Sequence, residues 1–407
     1  MTEAFPVDIG PQYEGDVVRK ADLYLEFGGP KAKSKFELVI LKTADEVEHE
    51  RIEVIGPDIF ELEEGGSYPL AILIDVAGER LEKETEPVIE RRIHMYTNYI
   101  QGLYHMNQRE DAWVRLSKDA YKMGLKSLRD FGKILIFLYT SELSVIERVA
   151  ITFITDEKRV QELLPHALEV YHARDDRLKG LREEDVDQFY GCVLCQSFAP
   201  THACIITPER LSLCGAINWF DGRAAYQLDP EGPIFEVPKG ELLDPVKGEY
   251  SGANQVITER SLGQYNRVYL HSAFEHPHTS CGCFQSICFY IPEVDGFGVV
   301  HRDFAGKTPI GASFSTMAGN TGGGRQTEGS LGMALEYMRS PKFMRADGGL
   351  YRVMWMPKEI KERYRDVIPE DLYDKIATEE NTTNTDELVE FVDKVGHPWL
   401  RGEVELP

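Results

Sequence analysis

Cysteine is absent from the first 191 residues of this 407-residue chain. Long hydrophobic runs are missing too. The most apolar stretch, residues 134–138, is far too short to span a bilayer. The opening Met-Thr-Glu-Ala-Phe-Pro-Val-Asp has no basic segment of the kind that starts an export signal. Positive charge is scarce: 45 Lys and Arg stand against 68 Asp and Glu, a net charge of −23. Such a balance argues against nucleic acid and against membranes as partners. There are no internal repeats and no low-complexity tracts. A P-loop is also lacking, because the run Thr321-Gly322-Gly323-Gly324-Arg325 has neither the Lys-Ser/Thr ending nor the Rossmann glycine spacing. That run reads as a structural turn. The expectation is a soluble cytoplasmic protein, 42% apolar and 28% charged, long enough for two or three domains.

The fold class reads as α/β to α+β in two domains. Residues 1–182 form a mixed sheet-and-helix domain, and residues 183–407 form a metal-cluster-binding α+β domain. Strand candidates in the first are 36–41, 70–76, 134–139 and 149–154; helix candidates are 87–107 and 157–172. The helix over 87–107 rests on Ile89, Ile93, Tyr96, Ile100 and Leu103, a stripe that buries one face. Thr85 is its N-cap candidate and Pro87 suits its first turn. The boundary near residue 182 follows from the charged stretch between Arg174 and Asp185. After it come glycines and short strand-like runs at 267–270 and 286–291, and a polar end with one helical stretch within 379–392.

What the chain does have is seven cysteines, six of them in two tight groups. Clustered thiols without an export signal point to soft metals rather than disulfides. The first group, Cys192, Cys195, Cys204 and Cys214, reads C-x2-C-x8-C-x9-C. Four thiolates in one short segment suffice for a 4Fe-4S cubane, and CxxC is equally a half-site for tetrahedral zinc. No second CxxC closes a zinc ribbon, and Phe189, Tyr190, Phe198, Trp219 and Phe220 make the surroundings dry, which favours the cubane.

The second group is Cys281-Gly282-Cys283. The two sulfurs and the Gly282 and Cys283 backbone nitrogens can wrap one metal in a plane. Square-planar coordination favours nickel(II) or copper(II), and thiolates suit nickel. Glycine removes a Cβ that would crowd the wrap. Both sulfurs retain lone pairs with which to bridge a second metal. Cys288, in the apolar run Ile287-Cys288-Phe289-Tyr290, reads as an inert buried thiol. His202, His271, His276 and His278 flank the thiol groups, and none is assigned as a ligand.

The segment Phe189-Tyr190-Gly191-Cys192-Val193-Leu194-Cys195-Gln196-Ser197-Phe198-Ala199-Pro200 resembles the cluster-binding segment of acetyl-CoA synthase. So do Leu213-Cys214-Gly215-Ala216-Ile217-Asn218-Trp219-Phe220-Asp221, His278-Thr279-Ser280-Cys281-Gly282-Cys283 and Phe314-Ser315-Thr316-Met317-Ala318-Gly319, in the same order. The resemblance is nearest the archaeal type, the β subunit of the acetyl-CoA decarbonylase/synthase complex. It implies one 4Fe-4S cluster and two nickel ions. Cys192, Cys195, Cys204 and Cys214 would hold the cubane, with Cys195 also bridging to the proximal nickel. Cys281, Gly282 and Cys283 would hold the distal nickel, and the Cys281 and Cys283 sulfurs would bridge to the proximal one. Phe198 would shield the open face of the proximal nickel. The implied reaction joins CO, a methyl group from a corrinoid iron–sulfur protein and coenzyme A into acetyl-CoA, or reverses this, through methyl-nickel and acetyl-nickel intermediates. The implied partners are CO dehydrogenase subunits of a multienzyme complex, and ferredoxin.

Coenzyme A is an anion, so a local basic patch has to overcome the global charge. Arg91, Arg92, Arg109, Trp113 and Arg115 are the candidates: arginine forks for phosphates, an indole for the adenine or pantetheine. The bland reading of the same residues is a solvated helix face beside a buried tryptophan. Two other functions stay open on the residues alone. An electron-transfer iron–sulfur protein would leave Cys281-Gly282-Cys283 idle, and a zinc-stabilised scaffold subunit would do no chemistry.

Overall fold

The computed structural model describes Val7, residues 18–196 and residues 199–404. Strands and helices mix throughout, and among the described residues no helix is long and apolar enough to cross a membrane. The described residues fall into two units. One takes those up to Lys179 together with Phe220–Gly232; the other takes Gly180–Trp219 and the rest from Pro233.

The first unit holds β1 (Leu23–Gly28), β2 (Lys35–Leu41), β3 (Ile52–Ile55), β4 (Ser67–Tyr68), β5 (Leu70–Ala77), β6 (Leu103–Met106), β7 (Trp113–Ser117) and β8 (Arg148–Ile154). Its helices are α1 (Glu86–Asn98), α2 (Lys118–Met123), α3 (Leu128–Glu142) and α4 (Glu157–Asp176). The strands make two sheets, β4-β1-β7-β6 and β2-β5-β8-β3. In the second, β5 runs parallel to β2 and antiparallel to β8. β5 is apolar on both faces because both are covered. Leu70, Ile72, Ile74 and Val76 join the core built with α1 and α3, and Ala71 joins the core built with α4. β2 is an edge strand whose outer N–H groups need partners. Glu90 of α1 accepts from the Val39 N–H at 3.1 Å and Glu86 from the Leu41 N–H at 2.8 Å. Arg174 of α4 neutralises both acids and donates to the Val39 carbonyl.

The sequence pattern misreads two elements here. Residues 134–139 lie in α3, not in a strand. A short apolar run cannot distinguish the two, and here Ser127 caps the helix while Phe131, Leu135, Leu138 and Tyr139 turn inward at helical spacing. The helix over 87–107 ends at Asn98. Gly102 turns the chain at φ +79°, and residues from Leu103 form β6. Ile100 and Leu103 reach the same core as Ile89, Ile93 and Tyr96, but from the turn and the strand. Thr85 occupies the N-cap position with its hydroxyl donating to the Glu82 carbonyl, and its side chain does not cap. Strands β2, β5 and β8 and helix α4 lie where the pattern places them.

The second unit begins at Gly180 and is interrupted by α5 (Trp219–Leu228), whose residues from Phe220 belong to the first. It contains an antiparallel sheet, β10-β9-β11, made of β9 (Gln188–Cys192), β10 (Cys204–Ile206) and β11 (Ile234–Pro238). A short pair joins β12 (Leu242–Asp244) to β13 (Glu249–Tyr250), and helix α6 (Ser251–Arg260) follows. A four-stranded sheet, β16-β14-β15-β17, uses β14 (Ser286–Ile291), β15 (Gly296–His301), β16 (Ser330–Met333) and β17 (Val353–Trp355). Helix α7 (Phe314–Thr321) precedes β16, and a helix over Thr385–Val395 realises the polar terminal stretch. Residues 267–270 form no strand; Tyr269 makes a single bridge to Pro277.

One carboxylate ties this unit together. Glu183 is fully buried and accepts hydrogen bonds from the Thr207 and Tyr250 hydroxyls, His271 Nε2 and Lys342 Nζ. Burial opposes its ionisation, but His271, Lys342 and Thr207 more than reverse this and hold its pKa well below the ordinary carboxylate value. A depressed carboxylate pKa stabilises the fold above the unfolded value of about 4.3, and that contribution is lost as pH falls through the folded value. Glu183→Gln is therefore expected to lower stability at neutral pH by about 3 kcal/mol and to shrink the further loss between about pH 5 and pH 3. Urea unfolding of both proteins across that range measures it. An undiminished acid loss in the variant would show that the hub lies elsewhere.

Candidate metal centre

The six clustered cysteines form no disulfide, are buried, and lie in the second unit. The β9–β10 pairing sets Cys192 directly opposite Cys204. Cys195 lies in the turn that leaves β9. Cys214 sits in a tight turn closed by the Gly215 N–H to the Ser212 carbonyl at 2.8 Å, with Gly215 at φ +73°. The Leu213 N–H donates to Cys204 Sγ at 3.4 Å, which brings that turn onto β10.

The second group reaches the first from a distant stretch of chain. Cys195 Sγ and Cys283 Sγ lie within 4.8 Å of one another, and Cys281 shares hydrogen bonds with both Cys195 and Cys283. The Cys283 N–H donates to Cys281 Sγ at 3.3 Å, so a backbone nitrogen and a sulfur of the tripeptide already converge. The Cys195 hydrogen bond draws the Cys281 pKa down, but the bond with Cys283 and burial outweigh it and push the thiol well above its ordinary value. Crowded buried thiols of this kind ionise when a cation arrives to share their charge. The donor set therefore fits soft metals: six sulfurs, backbone nitrogens at the tripeptide, and little water.

Backbone contacts hold the tripeptide. Gly323 and Gly324 donate to the Cys281 and Ser280 carbonyls, each at 2.8 Å. Arg302 Nη2 donates to the Gly282 carbonyl at 2.5 Å and the Phe284 carbonyl at 3.0 Å. A Cβ on Gly324, at φ +80°, would meet Thr201 Oγ1 at 2.3 Å, so the glycine run is a close-packed brace. Gly282 is different. It sits at φ +136°, and a Cβ there would meet nothing within 4 Å. Backbone angle, not crowding by protein atoms, makes glycine the suitable residue.

Three of the four flanking histidines are committed elsewhere. His278 Nε2 accepts from the Ile205 N–H at 3.0 Å while its Nδ1 donates to the Thr279 carbonyl at 2.6 Å. His202 Nδ1 pairs with Thr279 Oγ1 at 2.9 Å. Burial and then Arg210 lower His202 to about 3 and take His278 well below its usual value, so both are neutral at pH 7. His271 is committed to Glu183 and Tyr337. Phe198 lies outside the described residues.

The five coenzyme A candidates all lie in the first unit, and burial divides them. Trp113 and Arg115 line a cavity of about 300 Å³ with Lys20, Lys31, Glu26 and Gly65. Arg115 lies over the Trp113 ring at 4.1 Å, and Glu26 holds both, accepting from Trp113 Nε1 at 3.1 Å and Arg115 Nε at 3.3 Å. The other three arginines are inside the protein. Arg91 donates to the Asn107 carbonyl and to Gln108 Oε1, and Arg109 makes a two-pronged pair with Asp175. Arg92 sits beside Met95. Sequence spacing did not reveal Lys20 and Lys31 as cavity residues, since both are distant from Trp113 along the chain.

Cys288 stands apart, fully buried on β14 opposite Val299 and Leu331. Burial, then Asp347, push its thiol well above the ordinary value. Cys288→Ala is expected to cost about 1 kcal/mol of stability and to leave the metal content per chain unchanged. Lost metal in a folded variant would make Cys288 part of the site.

Residues 171–404 match the family of the C-terminal part of the ACS/CODH beta subunit, and residues 5–160 match the family of the beta subunit in the CO dehydrogenase/acetyl-CoA synthase complex. The acetyl-CoA decarbonylase/synthase complex subunit beta of Archaeoglobus fulgidus is 55% identical over 401 residues, 98% of this chain and 76% of that protein. Its counterpart in Methanopyrus kandleri is 54% identical over 405 residues, 98% of this chain and 86% of that protein. A solved C-terminal domain from the alpha subunit of acetyl-coenzyme A synthase is 42% identical over 30% of this chain and 96% of that one, with a TM-score of 0.28.

Proposed function

The chain belongs to the family of acetyl-CoA decarbonylase/synthase complex beta subunits, and we propose that its six clustered cysteines hold the metals at which acetyl-CoA is assembled and cleaved. The reaction joins CO, a corrinoid-bound methyl group and coenzyme A, as a CO-methylating acyl transfer. Cys192, Cys195, Cys204 and Cys214 would hold a 4Fe-4S cubane. Cys281 and Cys283, with the Gly282 and Cys283 nitrogens, would hold one nickel, and the Cys195, Cys281 and Cys283 sulfurs would hold a second. Bound metals supply the redox and carbon–carbon bond-forming chemistry.

The observation that carries this reading is the meeting of Cys281 with Cys195 and Cys283 in a buried pocket. An electron-transfer protein has no use for that meeting, and a zinc scaffold needs only four of the six thiols. The protein's own work is to orient and to exclude. Arg302 and the glycine brace hold the carbonyls around the tripeptide, an arrangement that would let its nitrogens and sulfurs face one metal. The Cys283 amide proton, now shared with Cys281 Sγ, must leave when that nitrogen becomes a donor. Burial keeps water from competing for the sulfurs. Coenzyme A would bind in the first unit, its phosphates on Lys20, Lys31 and Arg115 and a flat face on Trp113. That patch is a local positive region on a chain of net charge −23. The corrinoid iron–sulfur protein, CO dehydrogenase subunits and ferredoxin would be met as separate subunits, and the cytoplasm is the compartment that fits.

Metal analysis of the anaerobically purified chain tests the reading. Nickel is expected together with iron, whereas iron alone or zinc alone would favour one of the rival readings. Cys281→Ser and Cys283→Ser should each abolish nickel binding and acetyl-CoA synthesis while iron and the cubane absorption survive. Simultaneous loss of both metals from a folded variant would contradict the division between the two cysteine groups.

Arg115→Ala should raise the coenzyme A concentration needed for half-maximal rate about tenfold or more, since a charge-assisted phosphate contact contributes about 1.5–3 kcal/mol. Metal content should not change. An unaltered coenzyme A dependence would remove this cavity from the site.

A further inference from the structure

Arg210 is 1% exposed, and none of its three guanidinium nitrogens has a hydrogen-bond partner among the described residues. It closes the two-residue turn that follows β10, its backbone pairing with Thr207. That turn lies between Cys204 and Cys214, and Leu213, three residues on, donates to Cys204 Sγ. The groups that bear on the guanidinium are few. His202 and His278 are neutral, and after burial it is the Arg210 charge that opposes their protonation. The Tyr337 ring lies 5.5 Å from its central carbon. The Tyr337 hydroxyl attracts Arg210 most, though it is already engaged with Leu270, Lys342 and Met344. Two acidic groups also attract it, Cys204 and then Glu183. Glu183 is taken by its own four donors, whereas Cys204 belongs to the first cysteine group.

A buried guanidinium retained without an anion is costly, and it is kept where an anion arrives later. Four thiolates binding an iron–sulfur core carry net negative charge at this spot. We propose that Arg210 is the counter-charge of the cluster held by Cys204 and its three partner cysteines, and that it raises the cluster's reduction potential. The inference rests on the cubane reading of the first cysteine group. The cluster takes one electron from an external reductant such as dithionite. Arg210 keeps its proton in both states, so no proton accompanies the electron. A fixed positive charge beside the sulfurs favours the more negative, reduced state. The residue positions charge and takes no part in bond making.

The test is a redox titration of the metal-loaded full chain, followed by EPR and visible absorption, with iron measured per chain. In Arg210→Met the reduced-to-oxidised ratio at a fixed poise should fall at least tenfold, about 59 mV for a one-electron couple. Arg210→Lys should stay near the parent value. Loss of iron from the Met variant, with Lys retaining iron and potential, would also support a charge requirement. Parent potentials in both iron-loaded variants would overturn the proposal, and so would equal unfolding of both by circular dichroism, which would mark a packing role. A parent chain that holds zinc or no iron would instead sink the cubane reading beneath it.

Discussion

The second unit depends on a single buried carboxylate. Glu183 precedes β9, which carries Cys192; Thr207, one of its donors, follows β10, which carries Cys204. Lys342 extends the network to Glu184 and Glu209. A charge placed so deep is tolerated only when its lone pairs are met, and here the donors come from Thr207, Tyr250, His271 and Lys342, four separate segments of chain. The hydrogen-bonding demand of that carboxylate thereby helps to hold together the strands that carry Cys192 and Cys204. Sulfur positions are set by backbone register, and register is held by a polar knot rather than by apolar packing alone.

The tripeptide site is built by a different device. Its carbonyls are held by Arg302 and by a glycine run whose lack of side chains permits the approach. No regular element contains Cys281, Gly282 or Cys283. A loop held at several backbone atoms presents amide nitrogens inward, something a strand or helix, with its N–H groups already paired, does not do. The same logic separates the two units by chemistry. One gathers sulfur and neutral imidazole in a dry interior. The other presents Lys20, Lys31, Arg115 and Trp113 around a cavity, where Glu26 pairs with Lys31 and Arg115.

Particular elements show where local pattern runs out. Residues 134–139 are apolar enough for either a strand or a buried helix; the Ser127 cap and the inward spacing of α3 decide it. The stripe from Ile89 to Leu103 is a true core stripe, but two of its members come from beyond the helix, because Gly102 turns the chain while the core continues. Arg91, Arg92 and Arg109 have the composition of a phosphate site, yet Arg91 and Arg109 spend their forks on Gln108, Asn107 and Asp175 inside the protein, and Arg92 is buried beside Met95. Charge identity is a property of sequence, whereas exposure is a property of what packs above it.

The candidate metal site was legible in the chain itself. Donor type, the spacing of four cysteines and the Cys-Gly-Cys tripeptide are local facts, and a chelate ring closes over neighbouring atoms whatever the rest of the chain does. The family resemblance followed from those same motifs. What the sequence could not fix is which distant groups share a site. The approach of Cys281 to Cys195, the buried partnership of Glu183 with Lys342, the buried guanidinium of Arg210 in the field of Cys204, and the Lys20–Lys31–Arg115 cavity all depend on how the chain folds back on itself. Their proximity arises only when strands pair and cores close, since burial and electrostatic environment are summed over the whole fold.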